Sequence, residues 1–405
     1  MKIHLLVVIA SALFIACTPP KSTENIATST PESFDSPAGE NASLPYLITG
    51  EDNFMYMSWV EQGDSNWVDF KYARLEENGW SEPQLIASGN DWFVNWADYP
   101  MIAVDKDGNM VGHYLAKSSA GTYSYDVNVV YKPAGMDWKG PRLAHSDGTA
   151  TEHGFVTLLP QNNGKFLLSW LDGRNTAGGS HDSPAGPMTI RTALLDMNGE
   201  LSEEAQLDER TCDCCQTGGT MTASGPVISY RDRSEDEIRD MSVVRKVNGS
   251  WSAPMAIHDD EWKIAGCPVN GPRMASFSNS IAVAWFTAAG GKAKVKMAFS
   301  NDAGASFNEP IIIDDSLSIG RVDVVMLDES SALVSWLDVS DAPTIRYRKV
   351  NADGSMGEPV TVSRTSDSRG SGFPQMAKLE ETVYFAWTVL SKESPSKIGL
   401  AELSL

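Results

Sequence analysis

The chain has 405 residues, of which 42% are hydrophobic, so it is long enough to bury a sizeable core and too apolar for a disordered protein. Acidic residues outnumber basic residues by 53 to 32, which gives a formal net charge of -21 at pH 7. Because this charge repels a phosphate backbone, the composition argues against nucleic-acid binding, and we predict no nucleic-acid partner.

Residues 1–16 are predicted to be a signal peptide. An apolar run from Ile3 to Ala16 follows Lys2, and it is too short to span a bilayer. Ala16 directly precedes Cys17, which resembles the lipobox of bacterial lipoproteins, so Cys17 is the predicted lipidation site. The resemblance implies an outer-membrane lipoprotein, periplasmic or surface-exposed, whose lipid is its only contact with the membrane. An ordinary signal peptide with an incidental cysteine is the alternative.

Residues 17–43 contain this cysteine and a segment rich in Thr, Ser, Pro, Glu and Asn, without a hydrophobic period. Such a composition predicts a disordered tether, because it offers too little apolar surface to offset the entropy of folding. Residues 44–405 form the predicted folded domain.

Within that domain, short β-type segments alternate with turns rich in Gly, Asn and Asp, and no segment shows a helical period. An aromatic residue ends a hydrophobic strand seven times, at intervals of 51 to 60 residues: Trp59, Tyr114, Trp170, Tyr230, Trp285, Trp336 and Trp387. Repeats with about four strands each are typical of propeller blades. The sequence therefore predicts an all-β propeller of seven four-stranded blades, in which a segment from near the tether could supply the missing last strand.

One turn carries a family resemblance. The segment Ser300–Phe307, with the sequence SNDAGASF, resembles the Asp-box turn (BNR repeat) of sialidase-like propellers, and Asn248–Trp251 and Asn351–Ser355 are degenerate versions. In such a turn, Asp and Ser side chains bond to local backbone groups and Gly takes a positive φ. The resemblance implies a fold and no particular activity. Because sialidases have six blades, a six-bladed propeller is the alternative.

In a four-stranded meander, the loops that enter the first and third strands share one face, where sialidase-like proteins place their sites. Cys212, Cys214 and Cys215 lie in the loop that enters the fourth repeat, and Cys267 lies in the loop that enters the fifth. Disulfides are the first expectation in an oxidising compartment, with Cys212 or Cys214 paired to Cys267. The alternatives are a copper or zinc thiolate site that includes His153, and a redox-active pair. No other cofactor is required.

Arginines form a second concentration on the same predicted face. In so acidic a chain, guanidinium groups directed toward one axis predict a carboxylate, sulfate or phosphate ligand. The alternative is that each arginine pairs with a nearby aspartate. The candidate ligand-binding residues are Arg174, Arg231, Arg233, Arg273, Arg321 and Arg369.

Carboxyl groups also lie at predicted positions on this face, at Asp98, Glu152, Asp172, Asp232 and Asp323. A glycosidase needs a proton donor and a partner group at the bond, and sialidases use a tyrosine as the nucleophile. The sialidase motif Arg-Ile-Pro is absent from the early repeats, and Tyr99 is the only tyrosine that fits. The candidate catalytic residues are Asp98, Tyr99, Asp172, Asp232 and Asp323.

These patterns predict a membrane-anchored propeller that binds an anionic, carboxylated glycan in a central funnel lined with arginines. If it is an enzyme, the resemblance implies an exo-α-sialidase-like hydrolase. A metal or redox site at the cysteines is one alternative, and a protein-interaction propeller without chemistry is another.

Overall fold

The structure is a computed structural model that describes residues 29–179 and 184–405. The predicted signal peptide and the predicted lipidation site, Cys17, lie outside the described residues. In the described part of the chain, the strands form seven antiparallel sheets with four strand positions each. This confirms the all-β propeller with seven blades, and the six-bladed alternative is wrong.

The first four blades follow one another along the chain as meanders. In blades 1 and 4 the fourth position is shared by two short strands that both pair with the third strand. The strands are Ala42–Thr49, Met55–Gln62, Val68–Glu76, Gly79–Trp80 and Gln84–Gly89 in blade 1, and Met101–Val104, Met110–Lys117, Tyr125–Lys132 and Lys139–Leu143 in blade 2. They are His153–Gln161, Lys165–Asp172, Thr189–Leu195 and Leu201–Asp208 in blade 3, and Gly218–Thr222, Gly225–Arg231, Met241–Val247, Ser250–Trp251 and Met255–His258 in blade 4.

The remaining blades have one strand at each position. The strands are Arg273–Phe277, Ser280–Thr287, Lys294–Ser300 and Ile311–Asp314 in blade 5, Asp323–Met326, Ser331–Asp338, Thr344–Asn351 and Val360–Arg364 in blade 6, and Gln375–Leu379, Thr382–Val389, Lys397–Ser404 and Glu32–Phe34 in blade 7. Short 3-10 helices occur in the loops at Asp64–Asn66, Arg174–Thr176, Ala289–Gly291 and Arg369–Ser371. Among the described residues, no helix is long and apolar enough to cross a membrane.

The blades close into a ring through their first strands, which lie against one another from blade 1 to blade 7 and back to blade 1. The second strand of each blade is interior to its sheet and packs between neighbouring blades, which explains apolar runs such as Ser331–Asp338, buried along its whole length. The loops that enter the first strands and those that join the second to the third strands share one face of the ring. We call this side the loop face.

The repeated aromatic residues are core residues. All seven lie at or near the end of a second strand, and none is more than 8% exposed. Trp59, Trp170, Trp285 and Trp336 are among the largest fully buried side chains of the described chain. The regular spacing in the sequence therefore reflects one packing position per blade.

Blade 7 is completed by a strand from the start of the described chain. Glu32–Phe34 pairs antiparallel with Lys397–Ser404, and the ring of Phe34 packs against Tyr384 with centroids 5.5 Å apart. This confirms the predicted strand donor. It also corrects the predicted boundary between the tether and the folded domain. Within residues 32–43 lie this strand and the first residues of blade 1, so the propeller begins before residue 44.

The predicted Asp-box-like turn joins the third and fourth strands of blade 5, so it lies on the face opposite the loop face. The carboxylate of Asp302 accepts hydrogen bonds from the Ser306 N–H and hydroxyl at 2.9 and 2.6 Å, and Gly304 has a φ of 77°. The Ser300 hydroxyl accepts a hydrogen bond from the Gly304 N–H at 2.9 Å. The turn is thus held by the local side-chain bonds expected from its sequence.

Candidate functional site

Loops of blades 2, 3 and 4 surround a cavity of about 820 Å³ on the loop face, which we call the loop-face cavity. Its walls come from the loops between second and third strands in these blades and from the loops that enter blades 3 and 4. The ionisable side chains among its lining residues are Tyr123, Glu152, Asp213 and Arg233. Much of the rest of the wall is Ser, Thr, Ala and Gly, so the cavity is wide and its wall combines hydroxyl groups with small apolar groups.

Glu152 is the most perturbed acid in this cavity. Its Oε1 accepts a hydrogen bond from the hydroxyl of Tyr125 at 2.6 Å, and Tyr125 itself is only 1% exposed. Burial raises the pKa of Glu152 to about 8, although the bond from Tyr125 opposes this and the charge of Asp213 adds to it. Glu152 therefore keeps its proton at neutral pH while facing a solvent-filled space.

Asp213 stands in the loop that enters blade 4 and is held by two arginines. Its two carboxylate oxygens lie 3.4 Å from Arg233 Nη1 and 3.4 Å from Arg239 Nη1. Glu237 pairs with the same guanidinium groups, at 2.7 Å from Arg233 and 2.8 Å from Arg239. The network fixes the Asp213 carboxylate beside the cavity, and it places the predicted ligand residue Arg233 in the cavity wall.

The four cysteines in the described part of the chain, Cys212, Cys214, Cys215 and Cys267, come together on the loop face, and we call them the thiol cluster. The Sγ of Cys212 lies 3.8 Å from that of Cys214 and 3.6 Å from that of Cys215. The sulfurs of Cys214 and Cys267 and a carboxylate oxygen of Asp213 lie within 4.8 Å of one another. All four cysteines are free thiols in the structure, so the predicted disulfide to Cys267 is not formed.

His153 does not belong to the thiol cluster, and its predicted role as a ligand beside the cysteines is wrong. Its ring stacks on that of His145 with centroids 3.6 Å apart, and both imidazoles are buried. Three aspartates lie within 4 Å of this pair of rings: Asp126, Asp147 and Asp172. The His153 imidazole lies against Asp126 of blade 2 and Asp172 at the end of the second strand of its own blade, and among the described residues it shares no group of potential ligands with a cysteine.

The candidate catalytic residue Asp172 is occupied by structural contacts. Its carboxylate accepts two hydrogen bonds at 2.7 Å from Arg174, another predicted ligand residue, and one at 2.8 Å from the indole of Trp170. Asp172 is fully buried. The pair joins the end of a core strand to the following loop, in agreement with the alternative in which arginines pair with nearby aspartates.

Two further predicted ligand residues are buried structural arginines. Arg231 is 2% exposed and donates to the backbone carbonyls of Arg239, Asn270 and Phe286. Arg321 is 4% exposed, and its guanidinium donates to the Ser371 hydroxyl and to three backbone carbonyls of the loop that enters blade 7. Both side chains hold loops together, so the prediction that they face a ligand is contradicted.

The other two arginines do not form a common funnel with them. Arg273 pairs with Asp323 at 3.2 Å and with the amide of Gln375 at 2.6 Å, inside the ring of first strands. Arg369 is exposed, and its guanidinium lies 6.0 Å from the ring of Trp96. The predicted convergence of several arginines on a central funnel is therefore wrong: among the candidate arginines, Arg273 alone lines the central cavity of about 150 Å³ between the first strands, and Arg233 alone lines the loop-face cavity.

The remaining candidate catalytic residues are also bonded within the fold. The Tyr99 hydroxyl accepts a hydrogen bond from Gln375 at 3.0 Å and is buried, so it is not placed as an open nucleophile. Asp323 accepts from the backbone N–H groups of Val324 and Met376 in addition to Arg273. Burial and the charge of Asp208 raise the pKa of Asp232 to about 6, and its carboxylate bonds to Ser242.

Asp98 is a buried acid with only one of its oxygens paired. Its Oδ1 accepts a hydrogen bond from the Phe155 N–H at 2.8 Å, whereas Oδ2 has no hydrogen-bond partner among the described residues. Burial raises the pKa of Asp98 to about 7. Between about pH 4 and about pH 7, Asp98 is protonated in the folded protein and ionised in the unfolded chain. The free energy of unfolding therefore falls as pH rises through this range.

We expect Asp98→Asn to remove this pH dependence, since the amide cannot ionise. Between about pH 4 and about pH 8 the parent should lose on the order of 4 kcal/mol of unfolding free energy through Asp98, and the variant should not lose it. Urea denaturation of both proteins across this pH range gives the unfolding free energy of the variant minus that of the parent. The other titrating groups are present in both proteins, so their contributions cancel. A difference that stays constant with pH would contradict a buried, protonated Asp98.

Comparisons with known proteins identify the fold. No family model matches the chain, and no curated protein matches it significantly. The chain is similar to the crystal structure of a protein of unknown function from Dyadobacter fermentans, with 13% identity over 94% of this chain and 100% of that chain and a TM-score of 0.55. It is similar to the polysaccharide lyase Uly1, with 11% identity over 91% of this chain and 90% of that chain and a TM-score of 0.53. The K499G mutant of the NanB sialidase from Streptococcus pneumoniae has 13% identity over 93% of this chain and 70% of that chain, with a TM-score of 0.46. At these identities the likeness shows a shared propeller fold alone.

Proposed function

We propose that the protein binds a carbohydrate in the loop-face cavity and cleaves a glycosidic bond there, with Glu152 as the proton donor. The observation that carries this proposal is a half-buried acid, Glu152, whose pKa is raised to about 8 in the wall of a cavity of about 820 Å³. A carboxylic acid in this state can protonate the leaving oxygen of a glycoside. The shared fold with a polysaccharide lyase is in keeping with a carbohydrate ligand, although the cavity is the main support.

Asp213 is the second carboxyl group that such a reaction needs. It lines the same cavity from the loop that enters the neighbouring blade, and Arg233 and Arg239 hold it in place. As the glycosidic bond breaks, Glu152 gives its proton to the leaving oxygen. A water molecule attacks the anomeric carbon and gives its proton to the Asp213 carboxylate, so that charges and atoms balance.

The ligand that we propose is an anionic, carboxylated glycan. The support is Arg233, whose side chain lies in the cavity wall, is 21% exposed and keeps its charge at the cavity surface while it is paired with Glu237 and Asp213. The wall also presents hydroxyl groups of Thr122, Ser124 and Thr151, which suit the hydroxyls of a sugar ring. Anchoring to the outer membrane through Cys17 is part of the same proposal, and its support is the sequence around that cysteine.

The test incubates the protein with a panel of oligosaccharides that includes sialylated, uronic-acid-containing and neutral members. Turnover is measured as the release of new reducing ends. We expect Glu152→Gln to lower kcat/KM by on the order of 10²–10⁴-fold, the usual contribution of a general acid. Activity of the parent protein should fall as pH rises above about 8, because Glu152 then loses its proton. Arg233→Ala should raise KM for the carboxylated members more than for the neutral members, whereas loss of its contact with Asp213 should lower kcat for both.

Glu209→Gln is the matched control, because Glu209 is an exposed acid in the same loop as Asp213 and should leave kcat/KM unchanged. If Glu152→Gln retains full activity, Glu152 is not the proton donor. If the parent protein neither binds nor cleaves any member of the panel, the propeller is a scaffold without this chemistry, and the proposal fails.

A further inference from the structure

We propose that the thiol cluster is a binding site for a thiophilic metal ion with a filled d shell, Zn²⁺ or Cu⁺. This inference goes beyond the carbohydrate site and does not depend on it. Three sulfurs come from one loop, which enters blade 4, and the fourth comes from the loop that enters blade 5. A bound ion would therefore join two neighbouring blades on the loop face.

The sulfur spacing fits a shared ion. Four thiolates around a tetrahedral zinc with bonds of about 2.3 Å lie about 3.8 Å from one another. The observed distances from Cys212 Sγ are 3.8 Å to Cys214 and 3.6 Å to Cys215. A disulfide would require about 2.0 Å between sulfurs, and a bridge between the adjacent Cys214 and Cys215 would be strained.

Cys214 is the central member of the cluster. Its sulfur lies within 4.8 Å of those of Cys212 and Cys215, and also within 4.8 Å of that of Cys267. The carboxylate of Asp213 lies near Cys214 and Cys267 as well, but it is already paired with two arginines. The sulfurs of Cys212, Cys214 and Cys215 form one group within 4.8 Å, whereas Cys267 shares a group with Cys214 and Asp213 alone. In the proposed site the first three sulfurs bind at their present positions and the exposed Cys267 side chain shifts to complete the set. The soft character of sulfur selects Zn²⁺ or Cu⁺ over oxygen-seeking ions.

The surroundings suit a negatively charged thiolate centre. Arg239 is 3% exposed, and its Nη1 donates a hydrogen bond to Cys212 Sγ at 3.2 Å. Four thiolates around Zn²⁺ carry a net charge of about -2, which a buried guanidinium partly offsets. Arg239 then acts by orienting a ligand and stabilising its charge.

The cluster is enclosed on one side and open on the other. Cys212 and Cys215 are 1% and 2% exposed, whereas Cys267 is exposed and gives an ion access from solvent. Asp213 stands between two of the proposed ligands in the chain and lines the loop-face cavity. Binding of an ion would thus also fix the position of the Asp213 carboxylate, since its loop is held on both sides.

The test uses the full chain, purified with its thiols reduced under anaerobic conditions. The protein is mixed with Zn²⁺ or with Cu⁺, desalted, and analysed for metal content. We expect stoichiometric binding of one of these ions, a higher unfolding temperature with metal, and a thiolate charge-transfer absorption when Co²⁺ replaces Zn²⁺. Cys267→Ser should fold, because Cys267 is exposed, and should lose both stoichiometric binding and the metal-dependent rise in unfolding temperature.

His258→Gln is the control variant, because it removes a half-buried imidazole that belongs to none of the groups of potential ligands that the described residues form around the cysteine sulfurs, and it should leave binding unchanged. Metal binding that persists in Cys267→Ser overturns the four-sulfur site. Thiol titration that finds disulfides in the native protein, or four free thiols without metal uptake, overturns the proposal as well. None of these readouts requires carbohydrate cleavage, so this proposal and the proposed function fail separately.

Discussion

Replacing Arg231 with alanine will lower the free energy of unfolding by about 4 kcal/mol or more, enough to threaten folding of the whole chain. The guanidinium is 2% exposed and donates to the carbonyls of Arg239 at 2.6 Å, Phe286 at 2.7 Å and Asn270 at 2.8 Å. Alanine leaves these buried carbonyls without donors and opens a cavity between blades 4 and 5. Each such unpaired acceptor costs about 1–3 kcal/mol.

Urea denaturation of Arg231→Ala and of Arg142→Ala separates a structural arginine from a surface one. Arg142 is exposed on the outer strand of blade 2, so its removal should change stability by about 0.5 kcal/mol or less. If Arg231→Ala were as stable as Arg142→Ala, the hydrogen bonds to the three carbonyls would not support the fold. The sequence-based prediction that Arg231 binds a ligand would then be supported again.

The fold was predictable because each blade repeats one packing position. Trp170 and Trp336 lie at equivalent places in blades 3 and 6, and both are buried. A closed ring of equal blades requires such a position at nearly constant intervals, and that interval is visible in one sequence without any structure. The grouping of the cysteines on one face follows from the same geometry, because successive blades place their first loops side by side.

The short N-terminal strand was harder to predict, because the amino-acid composition of this segment does not indicate a strand. Glu32–Phe34 has a single large apolar side chain, and its neighbours resemble a tether. Its place in blade 7 depends on backbone hydrogen bonds to Lys397–Ser404, which any residue except proline can make. A hydrophobic pattern carries no information about a strand held in this way.

The roles of the arginines and carboxyl groups could not be ranked from sequence. Arg231 and Arg233 are two residues apart, yet one bonds to the interior backbone and the other lines the cavity. Glu152 differs from Asp172 because Tyr125, from the preceding blade, covers it, whereas Arg174 neutralises Asp172. Arg174 is a local partner of Asp172, but Tyr125 and the backbone carbonyls that Arg231 contacts at Asn270 and Phe286 lie far away in the chain, and loop sequences do not specify them.

A protein that starts at residue 38 will be less stable than one that starts at residue 29, by on the order of 3 kcal/mol. The deletion removes the backbone pairing of Glu32–Phe34 with the last strand and the contacts of the Phe34 ring with Trp80 and Tyr384. It also leaves Lys397–Ser404 as an open edge strand, which can pair with another chain. Urea denaturation measures the first effect, and size-exclusion chromatography measures the second as a shift toward oligomers.

Two substitutions distinguish the contribution of the Phe34 side chain from that of the backbone pairing between Glu32–Phe34 and Lys397–Ser404. Phe34→Ala keeps the pairing and removes the ring, so we expect about half of the loss in stability and no oligomers. Ser33→Ala is the control, because Ser33 is exposed between the two ends of the strand and its change should be silent. If the protein that starts at residue 38 were as stable and as monomeric as the longer one, the N-terminal strand would contribute nothing to closing the ring. Blade 7 would then be held by its own three strands and by its packing against blades 1 and 6.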